Sequence, residues 1–416
     1  MYFLRYICSI KIFNNINLGE EMLEYLTWIT ASIALVSNSF FASNQPPHEQ
    51  LQVPQCLGAE ITIAHNVLAE NEQYKIIDLT SYDAEKMTLL VKQTQCGDII
   101  NLTDKFTDVQ LATKKKSAEN LLRNSALNSA KTEQYIYTIK HQKEVDMALK
   151  GVVSDNIWQA LNHLTSYANR SATKDTGVDA ANWLKTTFET MARTYNRVDT
   201  AAFLVKTGWY KQPSVVTVIG KDIKTPAIVI GAHMDTLDGR MPGADEGSGA
   251  AAIMETARTL LASKIKLKHP IYIIWYAATD RNLAGSQYVV QYFQEKSIPI
   301  KAVLQLDKTG FRINSADSTM WVFTDNTNND LSQYIAKLIT TYIHVPVDFS
   351  QCGYECSDHV SWNEESIPVA YPVESDLKGM NPYIGSSSDT MDLLNLEHMT
   401  NFSKLALAFA IELGVE

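Results

Sequence analysis

The stretch PAIVIGAHMDT, residues 226–236, decides how this chain is organised. PAIVIG is a short apolar run rich in β-branched residues, which predicts a buried strand. His233 and Asp235 follow where this strand ends. Two further apolar runs, IYIIWYAATD (271–280) and KAVLQLD (301–307), each end in an aspartate. The sequence therefore predicts three strands with polar side chains at their C-terminal ends.

These polar groups indicate a metal site. In open α/β sheets, ligands bind outside the carboxyl ends of the strands. An imidazole and three carboxylates at that edge suit a hard or borderline cation such as Zn²⁺. The candidate ligands are His233, Asp245, Asp280 and Asp307. The alternative is a set of ordinary aspartates that cap turns at strand ends.

Helical and strand patterns alternate from about residue 135. Strands separated by helices need crossover connections, so they predict an α/β fold with a mostly parallel central sheet covered by helices on both faces. The predicted helices are 156–168, 177–192, 247–263, 284–296 and 395–414, and the further strands are 214–220, 320–324 and 367–372.

The composition and charge of the chain argue against a nucleic-acid partner. The chain has 416 residues, of which 45% are hydrophobic and 20% charged, enough for at least one large core. Its formal net charge of -10 and the lack of a basic stripe argue against a nucleic-acid partner. We expect a monomer.

Residues 1–42 have the pattern of a leader. The run YLTWITASIALV (25–36) is too short to span a bilayer comfortably and is followed by small and polar residues, as in a signal peptide. Met22 is a possible true start, and a buried helix is the alternative. We therefore expect a secreted or periplasmic protein whose mature form has no stable membrane span.

The cysteines agree with export. Cys8 lies in the leader, and the remaining four permit three pairings. Cys352 and Cys356 are so close in sequence that a local disulfide is the natural choice, which leaves Cys56 with Cys96. A zinc site built from thiolates is the alternative, but neither pair has further ligands at the usual spacing.

The sequence of residues 43–134 predicts a small accessory domain and a linker. They contain few long periodic segments, and 113–134 is polar and charged. The lysines at 114–116 offer a protease an exposed basic site. A solvated run of charges is an equally good interpretation.

Six segments in sequence order resemble the zinc aminopeptidases typified by the secreted bacterial leucyl aminopeptidase. They are GAHMDT, PGADEGSG, YAATDRNLAGSQ, LQLDKTGF, CGYECSDHVSW and PVESDLKGMNPYIGSSSDT. The resemblance covers roughly residues 140–416. It implies an exported precursor, often with a removable propeptide, and a two-zinc aminopeptidase domain of phosphorylase/hydrolase-like α/β fold that acts on peptide or protein N-termini.

The same resemblance implies roles for individual residues. His233, Asp245 and Asp307 fall on the ligands of one zinc, and Asp245 falls on the bridging carboxylate. Asp280 falls on a carboxylate ligand of the second zinc. Asp235 falls on the carboxylate that orients the zinc-bound imidazole.

Other matches concern the substrate pocket. Cys352 and Cys356 match a local disulfide beside that pocket, and Tyr354 matches a tyrosine within it. Lys308 stands at a position that is usually apolar in the family, and its charge would disfavour a second divalent cation. His359 matches a histidine that is not a ligand, which favours a packing role.

The chain departs from the family pattern at the catalytic groups. Thr279 stands where the family has the glutamate that acts as general base, and a threonine hydroxyl cannot take its place near neutral pH. Gly385 stands where the family has the histidine of the second zinc. Glu246 and Ser386 are weak candidates to compensate.

We therefore expect one zinc ion, an impaired second position, and aminopeptidase activity that is weak or lost. The alternative is a catalytically silent protein that binds peptides or regulates other proteins. A single-zinc glutaminyl cyclase on the same fold is disfavoured, because the resemblance requires the late histidine that Gly385 replaces.

Overall fold

The structure of the chain is a computed structural model, and it describes residues 48–59, 61–94, 99–106, 111–125 and 136–415. The described residues belong to one compact unit, His48–Glu416. The predicted leader (1–42), Cys96 and much of the predicted linker lie outside the described residues. Within the described residues, no helix has both the length and the apolar character needed to cross a membrane.

A small antiparallel sheet forms the first part of the described chain. Its strands are β1 (His48–Pro54), β2 (Asn66–Glu70), β3 (Tyr74–Thr80) and β4 (Ile100–Asn101), in the order β2-β3-β1-β4. Helices α1 (Ser81–Thr94) and α2 (Leu111–Ser125) accompany this sheet. Leu51, Val53 and Ile77 are fully buried and pack together, so this segment has a small hydrophobic core of its own.

Helix α2 lies where the sequence predicts the start of the linker. Lys114 is in this helix, and its Nζ lies 2.7 Å from Oδ2 of Asp78 on β3. A lysine held in this way is a poor protease site, because the helix would have to unfold before cleavage. The polar composition of this segment reflects a helix with one solvated side, which the sequence did not distinguish from a linker.

The main sheet contains the predicted site. Its eight strands are β5 (Thr200–Val205), β6 (Ser214–Ile219), β7 (Ala227–His233), β8 (Ile271–Tyr276), β9 (Ile300–Gln305), β10 (Met320–Phe323), β11 (Val347–Ser350) and β12 (Val369–Val373). They lie in the order β11-β10-β12-β9-β7-β8-β6-β5. Within this sheet, β8, β7, β9 and β12 are neighbours and run parallel.

The parallel strands occupy the middle of the sheet. Strand β6 pairs antiparallel with β8 and with β5, and β10 pairs antiparallel with β12. The predicted α/β class with a mostly parallel sheet is therefore confirmed. Because β7, β8 and β9 run in one direction, their C-terminal ends meet at the same edge.

Helices cover both faces of this sheet. They are α3 (Gln142–Leu149), α4 (Ser154–Thr165), α5 (Asp175–Thr194), α6 (Ser248–Ala262), α7 (Ala284–Glu295), α8 (Asn329–Leu338), α9 (His359–Glu364) and α10 (Leu396–Gly414). Successive strand residues point to opposite faces. Ile230 accordingly packs in one core with residues of α5, α6 and α10, whereas Val229 packs in a second core with residues of α7 and α9.

Within residues 136–415, the sequence missed the strands β5 and β11 and the helices α3, α8 and α9. Strand β5 is mostly half-buried at the edge of the sheet, so it lacks the long apolar run that marks the central strands. Helix α8 begins at a cap, where the side chain of Asn328 accepts a hydrogen bond from the backbone N–H of Leu331. An asparagine at this position is a sequence signal for the start of a helix.

Helix α6 packs directly on the backbone at the end of β9. The N–H of Gly249 donates to the carbonyl of Asp307 at 2.9 Å. A Cβ atom at position 249 would lie 2.5 Å from that carbonyl oxygen and 2.7 Å from the carbonyl oxygen of Leu306. Both neighbours are backbone, so they cannot move aside cheaply.

We therefore expect Gly249→Ala to destabilise the protein by about 1–3 kcal/mol through overpacking. Alanine is a better helix former than glycine by about 1 kcal/mol, so helix propensity alone would predict a more stable variant. Gly414→Ala in α10 is the matched control, because the nearest atom to its Cβ is a flexible methyl of Ile271 at 3.3 Å. Urea unfolding measures both, and equal stabilities for the two variants would contradict the close contact.

Candidate active site

Three strand ends bring the predicted polar residues to one edge. His233 is the last residue of β7, Asp307 follows β9, and a short 3₁₀ turn, Thr279–Arg281, follows β8. Nε2 of His233 lies 3.0 Å from Oδ1 of Asp307, and both side chains are buried. The edge that the sequence predicts is therefore the edge where these groups meet.

Asp235 connects the end of β7 to the turn after β8. Its two carboxylate oxygens accept hydrogen bonds from the backbone N–H groups of Thr279 and Asp280, each at 3.0 Å. Its Oδ1 also lies 3.4 Å from Nδ1 of His233. One carboxylate thus fixes the imidazole and the turn relative to each other.

The turn after β8 has an unusual backbone. Ala278, Asn282 and Leu283 have φ values of 53°, 57° and 58°, in the left-handed region. Non-glycine residues enter this region at a cost, and such strain is frequent at functional sites. Thr279 lies between these strained residues, with its side chain at the site.

Lys308 forms an ion pair with Asp307. Its Nζ lies 2.9 Å from Oδ2 of Asp307, and both residues are buried. Burial alone would lower the pKa of Lys308, but attraction to Asp307 raises that pKa well above its ordinary value. Burial would likewise raise the pKa of Asp307, whereas the charges of Lys308 and His233 lower it. The pair is therefore ionised.

Asp245 lies beside a second carboxyl group. Burial raises the pKa of both Asp245 and Glu374, and the Asp245 charge raises that of Glu374 further. Oδ2 of Asp245 and Oε1 of Glu374 are buried, and neither has a hydrogen-bond partner among the described residues. Oδ1 of Asp245 also accepts from the N–H of Gly310 and the hydroxyl of Ser248, each at 3.3 Å.

Thr279 directs its hydroxyl toward another buried acid. Its Oγ1 lies 3.0 Å from both carboxylate oxygens of Asp358, to which it donates. Burial raises the pKa of Asp358 to about 7. His359, the next residue, stacks on Tyr371 with ring centroids 4.6 Å apart, and burial lowers its pKa to about 3. The contacts of His359 agree with the packing role expected from the sequence.

The loop with Gly385 is shaped by its backbone. Gly385 has φ 71°, and the hydroxyl of Ser386 donates to the carbonyl of Tyr383 at 2.6 Å. Asp389, further along the loop, accepts hydrogen bonds from the backbone N–H groups of Asp245 and Glu246. This loop therefore supports the Asp245 segment through Asp389.

A pocket opens at these strand ends. Polar residues of the site line it together with apolar ones from the surrounding segments, namely Ile99, His233, Glu246, Thr279, Asp280, Asn282, Leu283, Asp307, Lys308, Tyr354, Glu355 and Cys356. A disulfide joins Cys352 to Cys356, with Cα atoms 6.4 Å apart. This disulfide places Tyr354 at the pocket. Cys56 is disulfide-bonded too.

The predicted zinc ligands do not all come together at this site. Among the described residues, no group of three or more His, Cys, Asp or Glu side chains is arranged to hold a metal ion. His233 and Asp307 meet, but Asp245 lies beside Glu374, and Lys308 holds the second oxygen of Asp307. The predicted set of His233, Asp245, Asp280 and Asp307 does not fit a metal ion in this structure.

Arg170 is a residue that the sequence analysis missed. Its guanidinium is buried and donates to four backbone carbonyls at 2.6–3.0 Å, those of Leu164, Met234, Pro242 and Gly243. Its charge also faces the acids of the site, Glu246 and Asp389 first among them. Nothing local in NRSAT (169–173) marks this role. Glu374 and Asp358 were also missed, although both lie in segments that carry the resemblance.

Comparisons with known proteins give the class that the fold and the site define, that of aminopeptidase-like α/β proteins. The profile described as Peptidase family M28 matches residues 214–410. Leucine aminopeptidase 1 of Coccidioides posadasii (strain C735) is 34% identical over 296 residues, covering 66% of this chain and 75% of the relative. The chain belongs to peptidase family M28, so the resemblance read from the sequence is confirmed.

Solved structures agree with this family. The crystal structure of the Legionella pneumophila LapA aminopeptidase is 64% identical, with a TM-score of 0.84, and the match covers 89% of this chain and 100% of that chain. LapB from Legionella pneumophila is 41% identical over the same shares, with a TM-score of 0.82. The similarity therefore extends beyond the residues of the M28 profile.

We expect Arg170→Met to destabilise the protein by about 3–5 kcal/mol, the range for removing one partner from a buried charged network. The substitution leaves four carbonyls without their donor and the neighbouring acids without a counter-charge. Arg193→Met is the control, since the Arg193 side chain is exposed and donates only to the hydroxyl of Thr190 on its own helix. Urea unfolding at neutral pH compares the two, and a loss of under about 1 kcal/mol at Arg170, typical of a surface pair, would contradict this role.

Proposed function

We propose that this chain binds the free amino end of peptides in the pocket and hydrolyses them at least about 10²-fold more slowly than relatives that keep a carboxylate base. The relatives named above are aminopeptidases, which supports the choice of substrate class. The observation that carries the proposal is the hydrogen bond from Thr279 to Asp358 at the place of the base.

The pocket suits a protonated amine beside an apolar side chain. Asp280 and Glu246 line it and carry the negative charge that attracts an ammonium group. Ile99, Leu283 and Tyr354 supply apolar surface in the same pocket. A peptide with an N-terminal leucine matches both features.

Hydrolysis needs a group that accepts a proton from the attacking water. Thr279 donates its own proton to Asp358, and a hydroxyl has too little basicity to serve as the acceptor. The side chain at 279 therefore lines the pocket but cannot act as a general base. Loss of a general base typically costs about 10²–10⁴ in rate.

Zinc does not enter this proposal as a reacting group. The sequence predicts one zinc ion and an impaired second position, because Gly385 stands where the family has a histidine. That count comes from the resemblance alone, and the donors do not converge among the described residues. The activity measurements are therefore made with and without added zinc.

The second candidate is a silent peptide-binding or regulatory protein. The ion pair of Lys308 with Asp307 favours it, because a buried ammonium occupies the centre of the site. Peptide binding without any zinc-dependent turnover distinguishes this candidate from a slow aminopeptidase.

The test restores the two lost groups together. We expect Thr279→Glu/Gly385→His to hydrolyse leucyl amides about 10²-fold faster than the native chain, because the first change supplies a carboxylate base and the second restores the histidine of the family pattern. Either change alone should do little, since both act on the same water. Histidine tolerates the left-handed backbone at 385 better than most residues do. Rates are measured on a panel of aminoacyl amides, with and without zinc.

The matched control is Thr279→Gln/Gly385→His, which has the same size and no carboxylate. Equal rates for the two double variants would show that the base is not the missing element. A native chain that already turns over leucyl substrates at about 10 per second, an ordinary enzyme rate, would overturn the proposal.

We also infer that the protein is exported and that residues up to about 134 act as a removable propeptide. The small N-terminal sheet supports this inference through its contacts with the site. Ile99 lines the pocket, and Nδ2 of Asn282 donates to the carbonyl of Ala84 at 3.2 Å. Glu49 accepts a hydrogen bond from the hydroxyl of Tyr210. Removal of this segment would open one side of the pocket.

The mass of the protein recovered from the medium or periplasm of its native host tests both parts. We expect the leader to be absent, a species that begins near residue 135, and no free thiol after alkylation. Cytoplasmic protein that retains residues 1–42 would contradict export. Exported protein that always retains residues 48–125 would contradict removal of the propeptide.

A further inference from the structure

The site gathers more buried acids than a protein core usually tolerates. Asp235, Asp245, Asp307, Asp358 and Glu374 are all buried at or beside the strand ends. Buried charges persist when they are paired, hydrogen-bonded or bound to a metal ion. The site therefore needs a resident positive charge in its folded state.

Arg170 supplies part of that charge from one side. Four of its five N–H donors bind backbone carbonyls, and its charge acts on the acids of the site through space. Asp307 needs a closer partner, because its buried carboxylate lies at the centre of the edge.

Lys308 is that partner. Three groups surround the Asp307 carboxylate: Nζ of Lys308 at 2.9 Å and the hydroxyl of Tyr371 at 3.3 Å on Oδ2, and Nε2 of His233 at 3.0 Å on Oδ1. Both carboxylate oxygens are thus occupied by groups of the protein itself. The charge of Lys308 also acts on Asp245 and Glu374.

We propose that the ammonium of Lys308 is the permanent cation of this centre, held by Asp307 where the family resemblance places a metal ligand, so that the fold needs no divalent metal. The proposal is independent of peptide binding and turnover. It accounts for the surroundings of Asp307, whose two carboxylate oxygens are both in contact with groups of the protein.

A divalent ion at Asp307 would have to share the carboxylate with an ammonium 2.9 Å away. Two cations on one carboxylate repel each other strongly in a site shielded from water. Lys308 is buried with its ammonium against Asp307, so leaving this position would give up the ion pair. The chain therefore excludes a metal ion at Asp307 by its own side chain.

The experiment measures zinc content and thermal stability of the full chain. Native protein, Lys308→Met and Lys301→Met are dialysed against a chelator and then offered zinc. Lys301 is a matched control, because it is a half-buried lysine on β9 that donates to the carbonyl of Leu413 at 2.9 Å. Elemental analysis after a second dialysis gives zinc per chain, and thermal unfolding gives Tm.

We expect native protein and Lys301→Met to retain no zinc and to show the same Tm with chelator and with zinc. Lys308→Met should lose about 5–10 °C of Tm in chelator, because Asp307 is left without its counter-charge. Zinc should be retained by this variant and should restore part of the lost Tm. Native protein that holds a zinc equivalent, and loses Tm when the chelator removes it, would overturn the proposal.

A second variant covers the case in which Lys308→Met does not fold. Asp307→Asn/Lys308→Met removes both members of the pair, so no buried charge is left unpaired. We expect it to fold in chelator with a Tm near that of the native protein and to retain no zinc. If it is no more stable than Lys308→Met, or also fails to fold, the ion pair is not what Lys308 provides, and the proposal is wrong.

Discussion

The arrangement of the site depends on one carboxylate, that of Asp235. It accepts two backbone N–H groups from the turn after β8 and lies beside the ring of His233 at the end of β7. Adjacent parallel strands bring their ends to one edge, but they leave the following turns free to diverge. Asp235 holds the turn after β8 in place, because separating a buried carboxylate from the two N–H groups that it binds is costly. The positions of Thr279 and Asp280 follow from this contact.

The sequence predicted the central strands and the edge they share, because buried parallel strands leave continuous apolar runs that end at polar residues. His233 and Asp307 were identified in this way. Glu374 and Arg170 were not, because their roles arise from contacts with segments far away in sequence. Lys308 shows the limit most clearly. Its position next to Asp307 was visible in the sequence, but the direction of its side chain was not, and that direction decides whether it accompanies a metal ion or takes its place.

The departures that the resemblance implies all fall at groups with a proposed role in the reaction, and none falls at the residues that hold the edge together. Thr279, Gly385 and Lys308 change what the site can do with water or with a metal ion. Asp235, Arg170 and the close contact of Gly249 with Asp307 hold the same edge together without taking part in any chemistry. In the proposed function, stability and catalysis therefore depend on separate residues.

The strained turn at Ala278, Asn282 and Leu283 has a consequence for the residue within it. Each left-handed residue costs about 1 kcal/mol or more, and a chain with no use for the turn would be free to replace one of them by glycine. The turn cannot relax by moving, since a Cβ atom at Gly285, in the first turn of α7, would lie 1.8 Å from the carbonyl oxygen of Ala277. The left-handed residues therefore hold the Thr279 side chain in one place at the site. Substitution of residue 279 therefore changes the chemistry of the side chain at the site without moving the main chain that carries it.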